Sequence, residues 1–500
     1  MRTAHFLALF AVGVATLATA TGCGGDSGTS GGGTGGATGG TGGATGGTGG
    51  TTSMGGTTSM GGTGGTTTTP TGDGNDSFAE AVQLTIDDQG VQDVLDPPDT
   101  DADFYTFTGT AGQAVLILTD AKPNDDPYAD GYLDLVITVY DKDQNQIAQN
   151  DDPFPRSTQD SSLFTILPYD GIYYIKVEEF CESALAQGGC GPDYFPGLSD
   201  YNYAVGVASL DPAQDGTVQE KEPNDTGATA TAFTYSQANP GQYYLTVAWG
   251  DFKANDVDAF TLHIPADVES SLQPNTRTTA GISFYPGDIT GDGSSTTPGI
   301  VQFIDPTDMS VVAQFDASKG AEGQPPLMAD KDYWVLINGT NTGATPFYFL
   351  NHSVGGSNPI EAEGAAQGVN DAAPQDPTND VQDNMDGTYS YFIEGNLPQG
   401  GANKDVDQFT IDSNGVATLT VACGAARSGS GLQGFKVTVL NGATALGNAV
   451  EAADKDLLLQ DVAVPNGVTK LTVKLEATGG QSATVTSDFY RCGYHFLPAM

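Results

Sequence analysis

A motif that occurs three times limits what this chain can fold into more than any other feature. Asp101-Ala102-Asp103-Phe104-Tyr105-Thr106-Phe107 returns as Asp256-Val257-Asp258-Ala259-Phe260-Thr261-Leu262 and again as Asp405-Val406-Asp407-Gln408-Phe409-Thr410-Ile411. Self-similarity at a long, near-constant spacing marks repeated structural units. Around each copy, short runs rich in Val, Ile, Thr, Tyr and Phe alternate with period two and are separated by Gly, Asp, Asn and Pro, as in Ala114–Leu118, Leu135–Tyr140, Tyr173–Val177 and Ala417–Val421. That pattern predicts an all-β chain of tandem, jelly-roll-like β-sandwiches. Each motif follows an Asn-Asp pair (Asn75-Asp76, Asn224-Asp225, Asn370-Asp371). Each unit closes with a strand pair: Tyr173–Val177 with Tyr201–Val207, Tyr333–Ile337 with Phe347–Leu350, and Leu471–Leu475 with Phe489–Phe496. The implied modules are 73–215, 216–357 and 358–500, the third the most degenerate.

The sequence before residue 73 is of another kind. Met1-Arg2-Thr3-Ala4-His5 and the apolar run Phe6–Ala20 have the order of a secretory signal and are too short for a permanent membrane span. Residues 1–22 end in Ala20-Thr21-Gly22, ahead of Cys23, an arrangement similar to a lipobox, which makes Cys23 a candidate for lipidation. An ordinary signal peptide with a stray cysteine is the competing reading. Residues 23–72 are nearly all Gly and Thr and cannot build a core. As a flexible coil they would span roughly 40 Å and act as a tether. Gly25-Asp26-Ser27-Gly28 within them resembles a serine-protease signature but lacks structured surroundings.

Setting Cys23 aside leaves Cys181, Cys190, Cys423 and Cys492, an even set that an oxidising compartment would bridge. Proximity favours Cys181 with Cys190 and Cys423 with Cys492. Asp plus Glu number 62 against 17 Lys plus Arg, a net charge of -45. Such a surface repels nucleic acid and anionic headgroups and favours divalent cations or basic partners.

Side chains two apart on a strand share a face, so Asp101 and Asp103 should point the same way as Tyr105 and Phe107. With the aromatics in the core, two carboxylates stand at its rim, where burial without a partner is costly. Ca2+, a hard ion taking several oxygen ligands, would satisfy them; backbone N–H donors in a turn would serve equally.

At these residues the chain resembles the bacterial pre-peptidase C-terminal domain, a β-sandwich that often accompanies secreted proteases. The first module carries the resemblance in Asn75-Asp76-Ser77, Asp103-Phe104-Tyr105, Leu133-Asp134-Leu135, Tyr140-Asp141, Asn150-Asp151-Asp152, Asp160-Ser161 and Gly171–Val177. The second keeps Glu222-Pro223-Asn224-Asp225-Thr226, Asp258-Ala259-Phe260 and Tyr333-Trp334-Val335. In the related collagen-binding segments, a Glu-x-Glu-x-Asn-Asp entrance helps to hold calcium. That resemblance implies a Ca2+ set of Glu220, Glu222, Asn224, Asp225, Asp256 and Asp258, and a weaker one of Asp73, Asn75, Asp76, Asp101 and Asp103. Asp151, Asp152 and Asp160 form a further acidic loop, read equally well as solvated turn residues. Asp288–Gly293 has the start of an EF-hand loop, but Gly299 stands at its twelfth position, so it reads as a polar turn.

Catalytic constellations are sparse. His5, His263, His352 and His495 show no zinc-ligand spacing, and no Gly-x-Ser-x-Gly elbow follows a strand. Tyr128, Tyr132, Tyr194 and Phe195 are candidates for a ligand surface or for loop packing. The expectation is a non-enzymatic lipoprotein of the bacterial cell envelope, on the outer membrane or cell surface, whose modules bind an extracellular protein or polysaccharide or act as spacers. The alternatives are an accessory to secreted proteolysis, binding a protease or its substrate, and a hydrolase with an unrecognised site.

Overall fold

The structure, a computed structural model, describes residues 74–497 apart from 97–100, 122–132, 152–160, 184–201, 267–275, 286–292, 360–373 and several shorter stretches. The signal segment, Cys23 and the Gly/Thr tether lie outside the described residues. So do Asp73, Asp152, Asp160, Cys190, Asn370, Asp371, residues 288–292, and the aromatics Tyr128, Tyr132, Tyr194 and Phe195.

The first sandwich is built from β1 (Val82–Gln83), β2 (Val91–Val94), β3 (Ala102–Gly109), β4 (Ala114–Ala121), β5 (Leu135–Tyr140), β6 (Gln146–Asn150), β7 (Ser162–Ile166), β8 (Gly171–Glu179) and β9 (Asn202–Ser209). They form two sheets, β1-β3-β8-β5-β6 and β2-β9-β4-β7. Apart from the β5–β6 hairpin, successive strands cross between the sheets in the pattern of a jelly roll.

The second comprises β10 (Thr217–Gln219), β11 (Thr231–Ala232), β12 (Ser236–Asn239), β13 (Tyr243–Asp251), β14 (Val257–Ile264), β15 (Thr276–Tyr285), β16 (Thr296–Ile304), β17 (Val311–Asp316), β18 (Lys331–Asn341) and β19 (Phe347–Pro359). Its sheets run β11-β14-β18-β16-β17 and β10-β13-β19-β15, with β12 on β13.

The third holds β20 (Gln382–Asp383), β21 (Tyr389–Asn396), β22 (Val406–Asp412), β23 (Thr418–Gly424), β24 (Phe435–Asn441), β25 (Thr444–Val450), β26 (Leu457–Ala463), β27 (Lys470–Ala477) and β28 (Phe489–Leu497). Its sheets run β22-β27-β24-β25 and β20-β21-β28-β23-β26.

The orders superimpose: β3-β8-β5-β6, β14-β18-β16-β17 and β22-β27-β24-β25 are one sheet repeated, and β2-β9-β4, β13-β19-β15 and β21-β28-β23 are the other. Even the short parallel partner of the motif strand keeps its register, with Val82 opposite Tyr105, Thr231 opposite Phe260, and Gln375 opposite Phe409. The third unit therefore shares the topology of the first despite its weaker sequence.

One expectation needs correcting. The closing strands β8 and β9, β18 and β19, and β27 and β28 exist, but they do not pair with each other. β8 lies between β3 and β5, while β9 lies between β2 and β4 in the opposite sheet. Adjacent β-rich runs in sequence look like a hairpin, whereas a jelly roll sends the chain across the core between them.

Period-two alternation places the motif aromatics inside. Tyr105, Phe107, Ile137, Tyr173, Val205 and their neighbours make the first core; Phe260, Phe303, Tyr333 and Leu350 anchor the second; Phe409, Phe435, Val473 and Phe496 anchor the third. Cys423 and Cys492 face each other across β23 and β28 and are joined by a disulfide. Cys181 is also disulfide-bonded. Among the described residues no helix is long and apolar enough to cross a membrane.

Candidate functional site

The segment entering each of the first two sandwiches is tied to the motif strand by the same backbone bond. Phe104 N–H donates to the Asn75 carbonyl (2.8 Å), and Ala259 N–H donates to the Asn224 carbonyl (3.0 Å). Both asparagine side chains are buried by this clamp, at 2% and 0% exposure. Asp76 and Asp225, next in sequence, are thereby brought beside the motif acids.

In the first sandwich, Asp76, Asp101 and Asp103 each offer a carboxylate oxygen within 4.8 Å of the others. Asp101 accepts the N–H groups of Asp96 (2.7 Å) and Ala102 (2.8 Å), the turn bonds that are its alternative to a metal. Burial nonetheless raises the Asp101 pKa. Asp103, fully buried, accepts a hydrogen bond from the Tyr203 hydroxyl. The Tyr203 and Tyr105 hydroxyls lie 2.6 Å apart, and Tyr105 donates to Asp93 Oδ2 (2.7 Å), which also receives Asn75 Nδ2 (3.0 Å). Burial, first of all, pushes both phenols upward, so they stay protonated as donors. The Asn75 side-chain oxygen is buried with no hydrogen-bond partner.

In the second sandwich, Glu222, Asp225 and Asp256 converge within the same 4.8 Å limit. Lys253 lies beside them: its ammonium pairs with Glu222, and its N–H donates to Asp256 (2.8 Å). Hydrogen bonding from Lys253 is the main cause holding the Glu222 carboxyl below its usual range. The Asn224 amide, with its NH2 turned toward the acids, donates to Asp258 Oδ1 (3.2 Å) and Glu222 Oε2 (3.1 Å).

Glu220 does not join that group. Its carboxylate accepts the Asp251 N–H (2.7 Å) and the Tyr348 hydroxyl (2.7 Å), and it faces Asp258. Burial, then the charge of Glu220, pushes the Asp258 carboxyl up to about 9; burial raises Glu220 as well. Side by side, the two acids each disfavour the other's ionisation.

The register explains where Glu220 sits. Asp93 on β2 is opposite Tyr203 on β9, and the equivalent pair in the second sandwich is Gly250 opposite Tyr348. A Cβ at Gly250 would lie 2.2 Å from the Glu220 carboxyl carbon. Glu220 therefore fills the volume that an Asp93-like side chain would occupy. The third sandwich has Gly395 opposite Tyr490, and there the tyrosine's own hydroxyl lies 2.2 Å from where a Cβ would stand. Asp405 and Asp407 are buried as their counterparts are, and Asp405 accepts the Val406 N–H (3.1 Å). Among the described residues the third sandwich shows no three-acid group.

Sequence reasoning missed Asp93, Tyr203, Tyr348 and Lys253. The tyrosines had a signal, since each is the second residue of its closing strand, like Tyr490. Asp93 and Glu220 had none, because their equivalence is spatial.

The donor sets suit a hard cation: the convergent groups are carboxylate oxygens, and the Asn75 amide oxygen is a buried atom left without a hydrogen bond. Asp76, Asp101, Asp103 and Asn75 would hold an ion in the first sandwich, and Glu222, Asp225 and Asp256 in the second; Asp258, expected with them, is turned to Glu220 instead. Of the other acidic loop Asp151 is half-buried, and no three-acid group forms there among the described residues.

The family model for the bacterial pre-peptidase C-terminal domain matches residues 101–179, from the motif strand to the end of β8. No curated protein matches the sequence. Solved structures with some likeness include the CUB1-EGF-CUB2 domain of human MASP-1/3, 8% identical over 53% of this chain and 100% of that one, with a TM-score of 0.15. Tandem CBM51 modules of a family 98 glycoside hydrolase from Streptococcus pneumoniae are 9% identical over 82% and 84%, with a TM-score of 0.16. The M60 catalytic domain with its two CBM51 domains from Clostridium perfringens ZmpB is 9% identical over 80% and 55%, with a TM-score of 0.15. At TM-scores this low, none of them bears on what this chain does.

Proposed function

We propose that this chain is an exported, non-catalytic binding and spacer protein, anchored by lipid on Cys23, whose first two sandwiches are each stapled by Ca2+. The observation that carries the metal reading is the repeated clamp. At topologically equivalent places, an entrance asparagine bonds the motif strand through its backbone and brings an exposed aspartate to the strand's own acids.

A bound ion would cross-link the entrance segment to the motif strand and neutralise carboxylates that otherwise repel one another. Anything that binds only the folded state stabilises it by mass action, about 2.7 kcal/mol at a hundred-fold excess over Kd. Melting of the mature chain in Ca2+ and in chelator tests this: the expected result is a higher Tm with the ion and a smaller gain in Asp225→Ala. An unchanged Tm would sink it. Mass spectrometry of the mature N-terminus tests the anchor, and an unmodified residue 23 would refute it.

The binding role rests on the sandwich architecture and on the pre-peptidase C-terminal match, and its ligand would be an extracellular protein or polysaccharide. The family's description favours a second reading, an accessory to proteolysis. Retention of a secreted peptidase by the immobilised chain, with no retention of polysaccharide, would select it.

A further inference from the structure

We infer that the first two sandwiches are one folding unit, sealed by an apolar seam in which the outer face of β4 and β7 docks on the outer face of β13 and β19. Strand parity sets this out. On β4, Val115 and Ile117 turn into the first core, which leaves Ala114 and Leu116 facing outward; on β7, Leu163 turns inward and Phe164 outward. On β13 and β19, Ala248, Tyr348 and Leu350 turn into the second core, while Val247, Trp249, Phe347 and Phe349 face outward.

These outward side chains are as buried as core residues: Phe164 is 0% exposed, Phe349 1% and Trp249 3%. The Phe164 ring stacks on Phe349 (centroids 4.7 Å, 24°) and meets Phe347 edge-on (5.4 Å, 72°). A sheet with one wet face alternates apolar and polar residues, whereas one covered on both faces becomes a continuous apolar run. Ala114-Val115-Leu116-Ile117-Leu118 is such a run.

The connection between the sandwiches is no hinge. Leu210 N–H donates to Ala114 of β4 (3.0 Å), and the Gly216 carbonyl accepts Val247 N–H of β13 (2.8 Å), so each end of the link is bonded into one of the docked sheets. The junction to the third sandwich differs in kind. There Gln314 N–H donates to Gly429 (2.9 Å) and Thr486 N–H to Val311 (2.9 Å), covering the edge of β17 with polar backbone. The segment matching the pre-peptidase C-terminal model is thus part of a larger cooperative body, in which the two acid clusters hold a fixed relation.

Trp249 lies in the seam and Trp334 is the only other tryptophan. In the full chain carrying Trp334→Phe, Trp249 should emit as a buried indole, resist acrylamide, and lose that shielding in one transition with the unfolding of both sandwiches. Adding Phe164→Asp should shift the emission to the red, raise quenching severalfold, and split the transition in two while far-UV circular dichroism at low temperature is retained. If that variant does not fold, Phe164→Ala should give the same changes in smaller measure. A readily quenched Trp249 in the parent would overturn the inference, as would emission and melting unmoved by both Phe164 variants.

Discussion

The first and second sandwiches both set a half-buried carboxylate beside the second residue of the closing strand, yet they bring it from different places. Asp93 projects from the strand opposite Tyr203. In the second sandwich that position is Gly250, and Glu220 reaches in from the entrance segment to meet Tyr348. The place demands an acid beside the tyrosine, and the chain satisfies it by two routes. The routes differ in consequence. In the first sandwich the motif acid Asp103 is met by a tyrosine hydroxyl, a neutral donor. In the second, Asp258 faces another acid, Glu220, whose charge adds to burial in raising its carboxyl.

That equivalence can be broken by giving the second sandwich both routes at once. Gly250→Asp would set a third carboxylate into the volume Glu220 fills, and should destabilise by roughly 3 kcal/mol or more in denaturant unfolding. Adding Glu220→Ala should restore most of the loss, a coupling that a double-mutant cycle reads directly. If Gly250→Asp is harmless alone, the two carboxylates do not occupy one place.

A smaller effect separates the donors. Tyr203→Phe and Tyr348→Phe each remove a buried hydroxyl donor from a carboxylate and should cost about 1–3 kcal/mol. With Glu220→Gln in the background, the Tyr348→Phe cost should shrink and the Tyr203→Phe cost should stay as it was. Equal shrinkage of both would show that the networks are not separate.

The smallest effect concerns Lys253, whose ammonium lies beside the acids of the second cluster. Lys253→Met removes a competing ammonium from Glu222 in an exposed ion pair worth at most about 1 kcal/mol. Calcium affinity of the second cluster should rise by up to about five-fold, with the first unchanged. A weaker second site would mean that Lys253 supports the acids rather than competing with an ion.

Much of the fold was legible because it rests on periodicity. Parity along Asp101–Phe107 placed Tyr105 and Phe107 in the core and the acids at its rim, where the structure has them. Repetition of the motif marked three units, even where the third is the most degenerate. What failed to show depends on contacts distant in sequence. The closing strands read as neighbours because nothing local reports that a connection crosses a sandwich. Ala114–Leu118 read as an ordinary strand, although its unbroken apolarity already meant that both its faces were covered. Within the candidate sites, Asp76, Asp101, Asp103, Asp225 and Asp256 were readable from the repeat and Glu222 from the family resemblance, and they converge in two groups. Glu220 was readable as an acid but not as the stand-in for a side chain that Gly250 lacks.

The claim that the repeated clamp is a cation site is tested most directly by calorimetric titration of Ca2+ into the full mature chain and into Asp76→Ala, Asp225→Ala and the double variant. Asp76 and Asp225 are exposed, so the substitutions should spare the fold. The account predicts two bound ions in the parent, one in each single variant and none in the double. Absence of heat in the parent, or a stoichiometry indifferent to both substitutions, would contradict it.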